Sequence, residues 1–324
     1  MALDFKRKLL LFVGFNLVLL CGELAMFKAV QYGRFPGNSE TESDLMIIPA
    51  AKRFDLVILG TSHGRIFARD NNHDQVQTLL ERKVLNLSKG SGAGIMPMRL
   101  FLSCFFEKKN KANAIVYFLD PWVFYSASWN ENNICGIEEP LRLDFLMKMA
   151  RFGFSRDAIS SYVVYKFQHQ IVNSKIAGRP PKDGNFSGLE RVNPVSVGKS
   201  LQILYPDGLD STRCLKYRRE LEELVSMAEA HGSKVLFATP ATLLGNIPGL
   251  PEMKAFLADL KTRHPIEYQD FTYSIQDPKF FYDHDHLNTP GIRLFTSQFL
   301  KPYLDAHAPP GNLRVSGLSE YPEP

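Results

Sequence analysis

Short apolar runs separated by longer stretches of helical period organise the chain from residue 54 onward. Phe54–Leu59, Val84–Leu87, Ala114–Leu119, Lys234–Ala238 and Ile266–Asp270 each read as a strand, bounded by charge, glycine or proline. Between them, Arg65–Arg82, Met96–Phe106, Thr212–His231 and Glu252–Arg263 place apolar residues at helical spacing. The first of these is interrupted at Asp70-Asn71-Asn72, and the third is stopped by Gly232. A last helix is predicted over Ile292–Leu304, with Thr289 as a plausible N-cap and Pro290 as its first residue. Strand-helix alternation of this kind predicts an α/β fold: three α/β/α layers around a parallel sheet of about five strands.

Two regions break the alternation. From Phe124 to Asp210 no strand is predicted; helices near Glu139–Phe152 and Arg156–Asn173 precede a loop at Pro180-Pro181. An insertion at this edge of a sheet lies beside the ligand crevice, where Tyr125, Trp129, Tyr162, Tyr165 and Phe167 either stack on a sugar or fill a small core of their own. At the N-terminus, Lys6, Arg7 and Lys8 precede the apolar run Leu9–Gly22. With its continuation this is roughly 20 mostly apolar residues, enough to span a bilayer with the basic flank cytoplasmic. A cleaved signal peptide competes, but Glu23 and Phe27 stand two positions before Ala25 and Ala29, where a small residue is wanted. A lipoprotein site at Cys21 meets the same objection at Leu20. The expected organisation is a cytoplasmic segment 1–8, an anchor 9–30, a tether 31–50, a domain 51–306 carrying the insertion 124–210, and an extended tail 307–324.

Composition narrows the class without deciding it. With 324 residues, 45% hydrophobic and 22% charged, the chain has material for a large core. A net charge of +4 with no basic-aromatic interleaving gives no reason to expect a nucleic-acid partner. Cys21, Cys104, Cys135 and Cys214 show no Cys-x-x-Cys spacing. Buried free thiols are expected, with a Cys135–Cys214 disulfide as the alternative.

The candidate chemistry sits at strand ends. Gly60-Thr61-Ser62-His63-Gly64 follows the first strand and puts Ser62 at a sharp turn into a helix, facing the crevice where open α/β sheets bind ligands. Helix capping by Thr61 and Ser62 explains the same residues. Far downstream, Asp283 and His286 are spaced Asp-x-x-His in Tyr282-Asp283-His284-Asp285-His286-Leu287-Asn288. That spacing lets the carboxylate hold one imidazole nitrogen while the other faces a serine hydroxyl. The loop Ser88-Lys89-Gly90-Ser91-Gly92-Ala93-Gly94 can bring backbone N–H groups close to a ligand, and the third strand ends at Asp120-Pro121-Trp122. Two rivals use the same residues. Gly60–Gly64 matches Gly-x-Ser-x-Gly, the nucleophile elbow of α/β-hydrolases, although only anchor and tether precede it here. His63, Asp283, His284, Asp285 and His286 carry zinc- or manganese-type donors, although adjacent residues cannot all face one ion.

The Gly-x-Ser turn, the glycine loop after the second strand, the third-strand block Leu119–Trp122 and the terminal Asp-x-x-His-Leu-Asn together resemble the SGNH/GDSL hydrolase superfamily. Within it the chain is most similar to the membrane-anchored acyl-transfer branch of proteins like DltD and the alginate O-acetylation proteins. The resemblance implies Ser62 as nucleophile, His286 as base and Asp283 as its orienting carboxylate. It also implies an oxyanion site from the amides of Ser62 and Gly92 or Gly90, with Asp120, Trp122 and His63 beside the substrate. Asp120 stands near the place where the superfamily has an asparagine donor, and an ionised carboxylate cannot donate to an oxyanion. The implied activity is acyl transfer to, or ester cleavage on, cell-envelope carbohydrate, with no cofactor and no metal. The implied place is the outer face of the cytoplasmic membrane, beside an acyl donor or a membrane-bound O-acyltransferase. Asp120 motivates a reading of another class, a catalytically silent scaffolding module of a membrane complex.

Overall fold

The structure, a computed structural model, describes residues 2–34, 50–90, 92–131, 143–172 and 184–310. Most of the tether, Cys135, Pro180-Pro181 and residues 311–324 lie outside the described residues. In chain order the elements are α1 (Ala2–Arg34), β1 (Arg53–Gly60), α2 (Ser62–Arg65), α3 (Asn72–Leu80), β2 (Val84–Asn86), α4 (Ile95–Glu107) and β3 (Lys111–Phe118). A 3-10 turn, Pro121–Phe124, leads into α5 (Ala127–Asn130), α6 (Leu143–Arg151), α7 (Arg156–Val172), α8 (Pro194–Leu204) and α9 (Ser211–Ala230). The chain closes with β4 (Lys234–Thr239), α10 (Leu250–Arg263), β5 (Glu267–Asp270), α11 (Thr289–Phe295), the π-helical turn Thr296–Leu300 and α12 (Lys301–His307).

The strands form one five-stranded sheet in the order β2-β1-β3-β4-β5, with every pairing parallel. Their side chains alternate between two cores, as a period of two requires. Val57, Leu59, Ile115, Tyr117, Val235 and Phe237 face α4, α9 and α10. Leu56, Ile58, Ala114, Val116, Phe118, Leu236 and Ala238 face α3, α11 and α12. Three layers follow directly from strands apolar on both faces. The insertion adds mainly helices: Phe145, Met149, Ala158 and Tyr162 on α6 and α7 are buried in the first core, so Tyr162 fills space there. The long helix expected after β1 is broken because Asp70 and Asn71 adopt left-handed conformations, φ 54° and 61°, that a helix interior does not accept.

Helix α1 stands apart from both cores. Asp4–Met26 is long and apolar enough to cross a membrane, and none of its most apolar stretch is buried against the protein. Cys104 and Cys214 are buried and not joined in a disulfide, and Cys104 Sγ accepts from Lys148 Nζ at 3.5 Å.

One buried group on α3 sets an acid sensitivity. His73 is 2% exposed, its Nε2 has no partner among the described residues, and burial pulls its basicity down from 6.5 to about 4, with the Asp74 charge only partly opposing. The folded chain therefore binds fewer protons than the unfolded chain between these two values, and stability falls as pH drops through that window. His73→Gln, which cannot titrate, is expected to flatten this loss; urea midpoints at pH 7 and pH 5 measure it.

Candidate active site

The 2-1-3-4-5 strand order leaves a crevice beyond the carboxyl ends of β1 and β3, where neighbouring connections leave the sheet in opposite directions. Both ends are tightly built. Gly60 has φ +151°, and a Cβ there would lie 3.0 Å from the Phe118 carbonyl oxygen, so the turn after β1 requires glycine. The chain then enters the single turn α2, with Arg65 N–H donating to Thr61 O at 3.0 Å and Ile66 N–H to Ser62 O at 3.0 Å.

Neither hydroxyl at this turn serves as a cap. Thr61 occupies the N-cap position without a side-chain cap bond. Its Oγ1 donates to Asp120 Oδ2 at 2.5 Å instead. Ser62 Oγ lies 2.7 Å from His286 Nε2, and His286 Nδ1 lies 3.0 Å from both oxygens of Asp283. Asp283 Oδ1 also accepts the backbone N–H groups of Asp285 and His286, at 2.8 and 2.7 Å. Burial pushes the Asp283 carboxyl up, but its bonds to His286 and to the Asp285 amide hold it below the usual carboxylate range. The His286 ring is stacked on Tyr282, 5.4 Å between centroids with planes 8° apart. Serine, imidazole and carboxylate thus form one chain of hydrogen bonds between residues 224 positions apart.

The segment carrying Asp283 and His286 is pinned at several points. Its ends meet in a bridge between Phe281 and Leu287. The Leu243 N–H donates to the His284 carbonyl at 2.9 Å, and the Asn193 N–H donates to His284 Nε2 at 2.9 Å. His284 therefore turns away from the serine. Asn288 Oδ1 caps α11 through the Gly291 N–H at 2.9 Å, while its Nδ2 donates to the carbonyls of Ser187 and Lys279 at 2.8 and 2.7 Å.

A depression of about 360 Å3 opens over the serine, lined among others by Arg65, Arg69, Gly90, Trp129, Ile203 and Tyr282. Of the two glycines expected near the oxyanion, Gly90 lines it; Gly92, at φ +77°, is buried and does not. The three residues expected beside the substrate are corrected here. Asp120, Trp122 and His63 are 1%, 2% and 1% exposed and lie behind the depression. Asp120 is turned inward by Thr61 and by His63 Nδ1, which lies 2.7 Å from its Oδ1, and Trp122 packs on the His63 ring at 5.6 Å. A carboxylate engaged on both oxygens gains nothing from facing water, and the apolar bulk of the indole is buried against the His63 ring. Of the insertion aromatics, Trp129 lines the depression, and its Nε1 donates to Leu204 O at 2.9 Å.

Donor atoms of His63, Asp285 and His286 lie within 4.8 Å of one another, close enough to receive a cation. All four imidazole nitrogens already have partners: Asp120 and the Asp285 carbonyl for His63, Asp283 and Ser62 for His286. A metal would have to displace these bonds, so the donor set fits the hydrogen-bonded arrangement better than an ion.

Several lining residues were not singled out from sequence. Arg65 and Arg69 stand three and seven residues after Ser62, a helical spacing that carried a signal. Helix α8, which supplies Ile203, lies in the stretch after Pro180-Pro181 where the sequence pattern predicts no element, although Asn193-Pro194 is a cap followed by a first-turn proline.

No family model matches the chain, and no curated protein matches its sequence. Solved structures do resemble it. One is a crystal structure from Bacteroides fragilis NCTC 9343, provisionally described as an acylhydrolase, with 10% identity and a TM-score of 0.40 over 81% of this chain and 93% of the other.

Proposed function

We propose that the chain is a serine acyl-transfer enzyme of SGNH type, held at a membrane by its N-terminal helix. The observation that carries this reading is the hydrogen-bonded chain Ser62–His286–Asp283, with Nε2 at 2.7 Å from Oγ at the edge of an open depression. In the first half-reaction Ser62 Oγ bonds to the acyl carbon as its proton passes to His286 Nε2, and Asp283 balances the imidazolium. The amides of Ser62 and Gly90, which both line the depression, hold the oxyanion. Collapse breaks the ester C–O bond, and His286 returns the proton to the leaving alkoxide. An acceptor hydroxyl, from carbohydrate or from water, then gives its proton to His286 and attacks the acyl-serine; collapse breaks the bond between Oγ and the acyl carbon, and Oγ takes the proton back from His286.

Further parts of the reading follow from the anchor and the wall of the depression. The basic residues Lys6, Arg7 and Lys8 in the first turns of α1 favour a cytoplasmic N-terminus and a domain on the outer side of the inner membrane. Trp129 and Tyr282 at the wall suit a sugar ring, so cell-envelope carbohydrate is the substrate class proposed, with an acyl donor or a membrane-bound O-acyltransferase as neighbour. Asp120, the residue that motivated a silent module, is occupied behind the site and does not face an oxyanion in the depression.

Labelling of the full chain in detergent with a fluorophosphonate probe tests the reading. Labelling is expected in the wild type and absent in Ser62→Ala and His286→Ala. A folded wild type that takes up no probe would return the molecule to the silent scaffolding class.

A further inference from the structure

We propose that His63 is a buried imidazolium that ties the nucleophile turn, the end of β3 and the Asp283–His286 segment together, and so acts as a positioning residue for the serine reaction. This rests on the proposed roles of Ser62 and His286, and it concerns a histidine and two carboxylates that take no part in the proton transfers.

The protonation state follows from the partners. His63 Nε2 lies 2.6 Å from the backbone carbonyl oxygen of Asp285. A carbonyl oxygen only accepts, so Nε2 carries a hydrogen. Nδ1 lies 2.7 Å from Asp120 Oδ1, and Asp120 Oδ2 already accepts the Thr61 hydroxyl at 2.5 Å. A carboxylate accepting on both oxygens needs Nδ1 to donate as well. Two N–H donors on one ring make a cation.

The surroundings call for that charge. Asp285 Oδ1 lies 3.2 Å from Nε2 and also accepts the Thr242 hydroxyl at 3.3 Å. The other faces of the ring meet Trp122 and His286, at 5.6 and 4.9 Å between centroids. Beyond them, the Tyr117 and Tyr205 phenols sit in the field of Asp120, Tyr205 also in that of Asp285, and Asp283 holds the far side of His286. Among the described residues neither Asp120 nor Asp285 pairs with a lysine or arginine, so His63 is the cation both share. Burial pulls the His63 imidazole down, but Asp120 and Asp285 more than offset it and raise it well above its ordinary value. The same contact holds the Asp285 carboxyl low against its burial.

The geometry shows what the cation holds in place. His63 joins Asp120, 57 positions away, to Asp285, 222 positions away. Asp285 lies between Asp283 and His286 in sequence, so fixing its carbonyl fixes the direction in which both side chains leave the backbone. A buried ion group contributes little net stability but resists rearrangement, because breaking any one link strands a charge in the interior. The 2.7 Å contact between Ser62 and His286 is held at that junction.

The test uses the full chain in detergent with 15N-labelled histidine rings. At pH 7 both His63 ring nitrogens are expected to give imidazolium signals, assigned by their loss in His63→Gln or, if that variant does not fold, by their shift in Asp120→Asn. A neutral His63 tautomer at pH 7 overturns the proposal. Hydrolysis of p-nitrophenyl acetate gives the second readout. A folded His63→Gln is expected to lose about 10²-fold in kcat with KM changed less than about threefold, the pattern of misplaced groups in an intact pocket. Wild-type kcat in that variant overturns the proposal. In Asp120→Asn the alkaline fall in activity is expected at lower pH, since His63 then loses its proton more readily; an unmoved alkaline limb counts against the clamp. If the wild type neither hydrolyses nor labels, the enzymatic reading fails by itself, and the nitrogen signals still decide the charge on His63.

Discussion

Asp283→Asn is expected to lower turnover about 10⁴-fold while leaving the fold almost unchanged. Asp283 Oδ1 accepts two backbone N–H groups, from Asp285 and His286, which an asparagine oxygen in the same place still satisfies. The amide Nδ2 then faces His286 Nδ1, and its hydrogen clashes with one on Nδ1, which shifts the ring toward the tautomer with a bare Nδ1 and the hydrogen on Nε2, although Oδ1 stays within reach of Nδ1. A protonated Nε2 donates to Ser62 Oγ and cannot take its proton. His286→Ala removes the base altogether and is expected to cost more, about 10⁶-fold by analogy with other serine triads. Initial rates on p-nitrophenyl acetate, with thermal midpoints as a control, measure both. Wild-type turnover in a folded Asp283→Asn would remove Asp283 from the proposed chemistry.

The second large effect is on stability. A Cβ built on Gly291 would lie 2.2 Å from the backbone oxygen of Phe280 and 3.0 Å from a methyl carbon of Leu287. The Phe280 oxygen also accepts the Asn288 N–H at 2.9 Å, so it cannot withdraw without undoing the segment that presents His286. Gly291→Ala is therefore expected to cost about 3 kcal/mol or more and to slow labelling of Ser62 in whatever fraction stays folded. Gly198, inside α8, is the contrast. Nothing lies within 4 Å of its added Cβ, and Gly198→Ala is expected to stabilise by about 0.5–1 kcal/mol through the unfolded chain. Urea unfolding of the two variants side by side checks the pair.

How much of this was legible in the sequence depends on range. Four of the five strands were legible because both of their faces are buried, which leaves apolar runs, whereas the polar, half-buried β5 was legible from its place after α10; ends shifted by up to three residues, as at Lys111 in β3. The Asp-x-x-His spacing was legible because both residues sit on one short segment whose geometry is local. The partnership of His63 with Asp120 was not, since no spacing rule joins residues 57 positions apart. It becomes readable only with the register of the sheet, in which Gly60 pairs with Phe118, so the residues just beyond each strand end up side by side. That register also settles the puzzle of an aspartate where a donor was expected: the residue answers to a histidine on the neighbouring strand end. Helix α8 escaped because Gly198 and two serines dilute its apolar period, and its role at the site depends on packing that no local pattern encodes.

The distance along the chain between Ser62 and His286 has a consequence for biogenesis. On the proposed reading, the nucleophile Ser62 leaves the ribosome 224 residues before its base. On that reading, a chain synthesised only as far as α10 has the serine and not yet the base that would activate it. If Ser62 is the nucleophile proposed, reactivity switches on only when the Asp283–His286 segment closes onto the end of β1, and the order of synthesis itself protects bystander esters from a half-made active site.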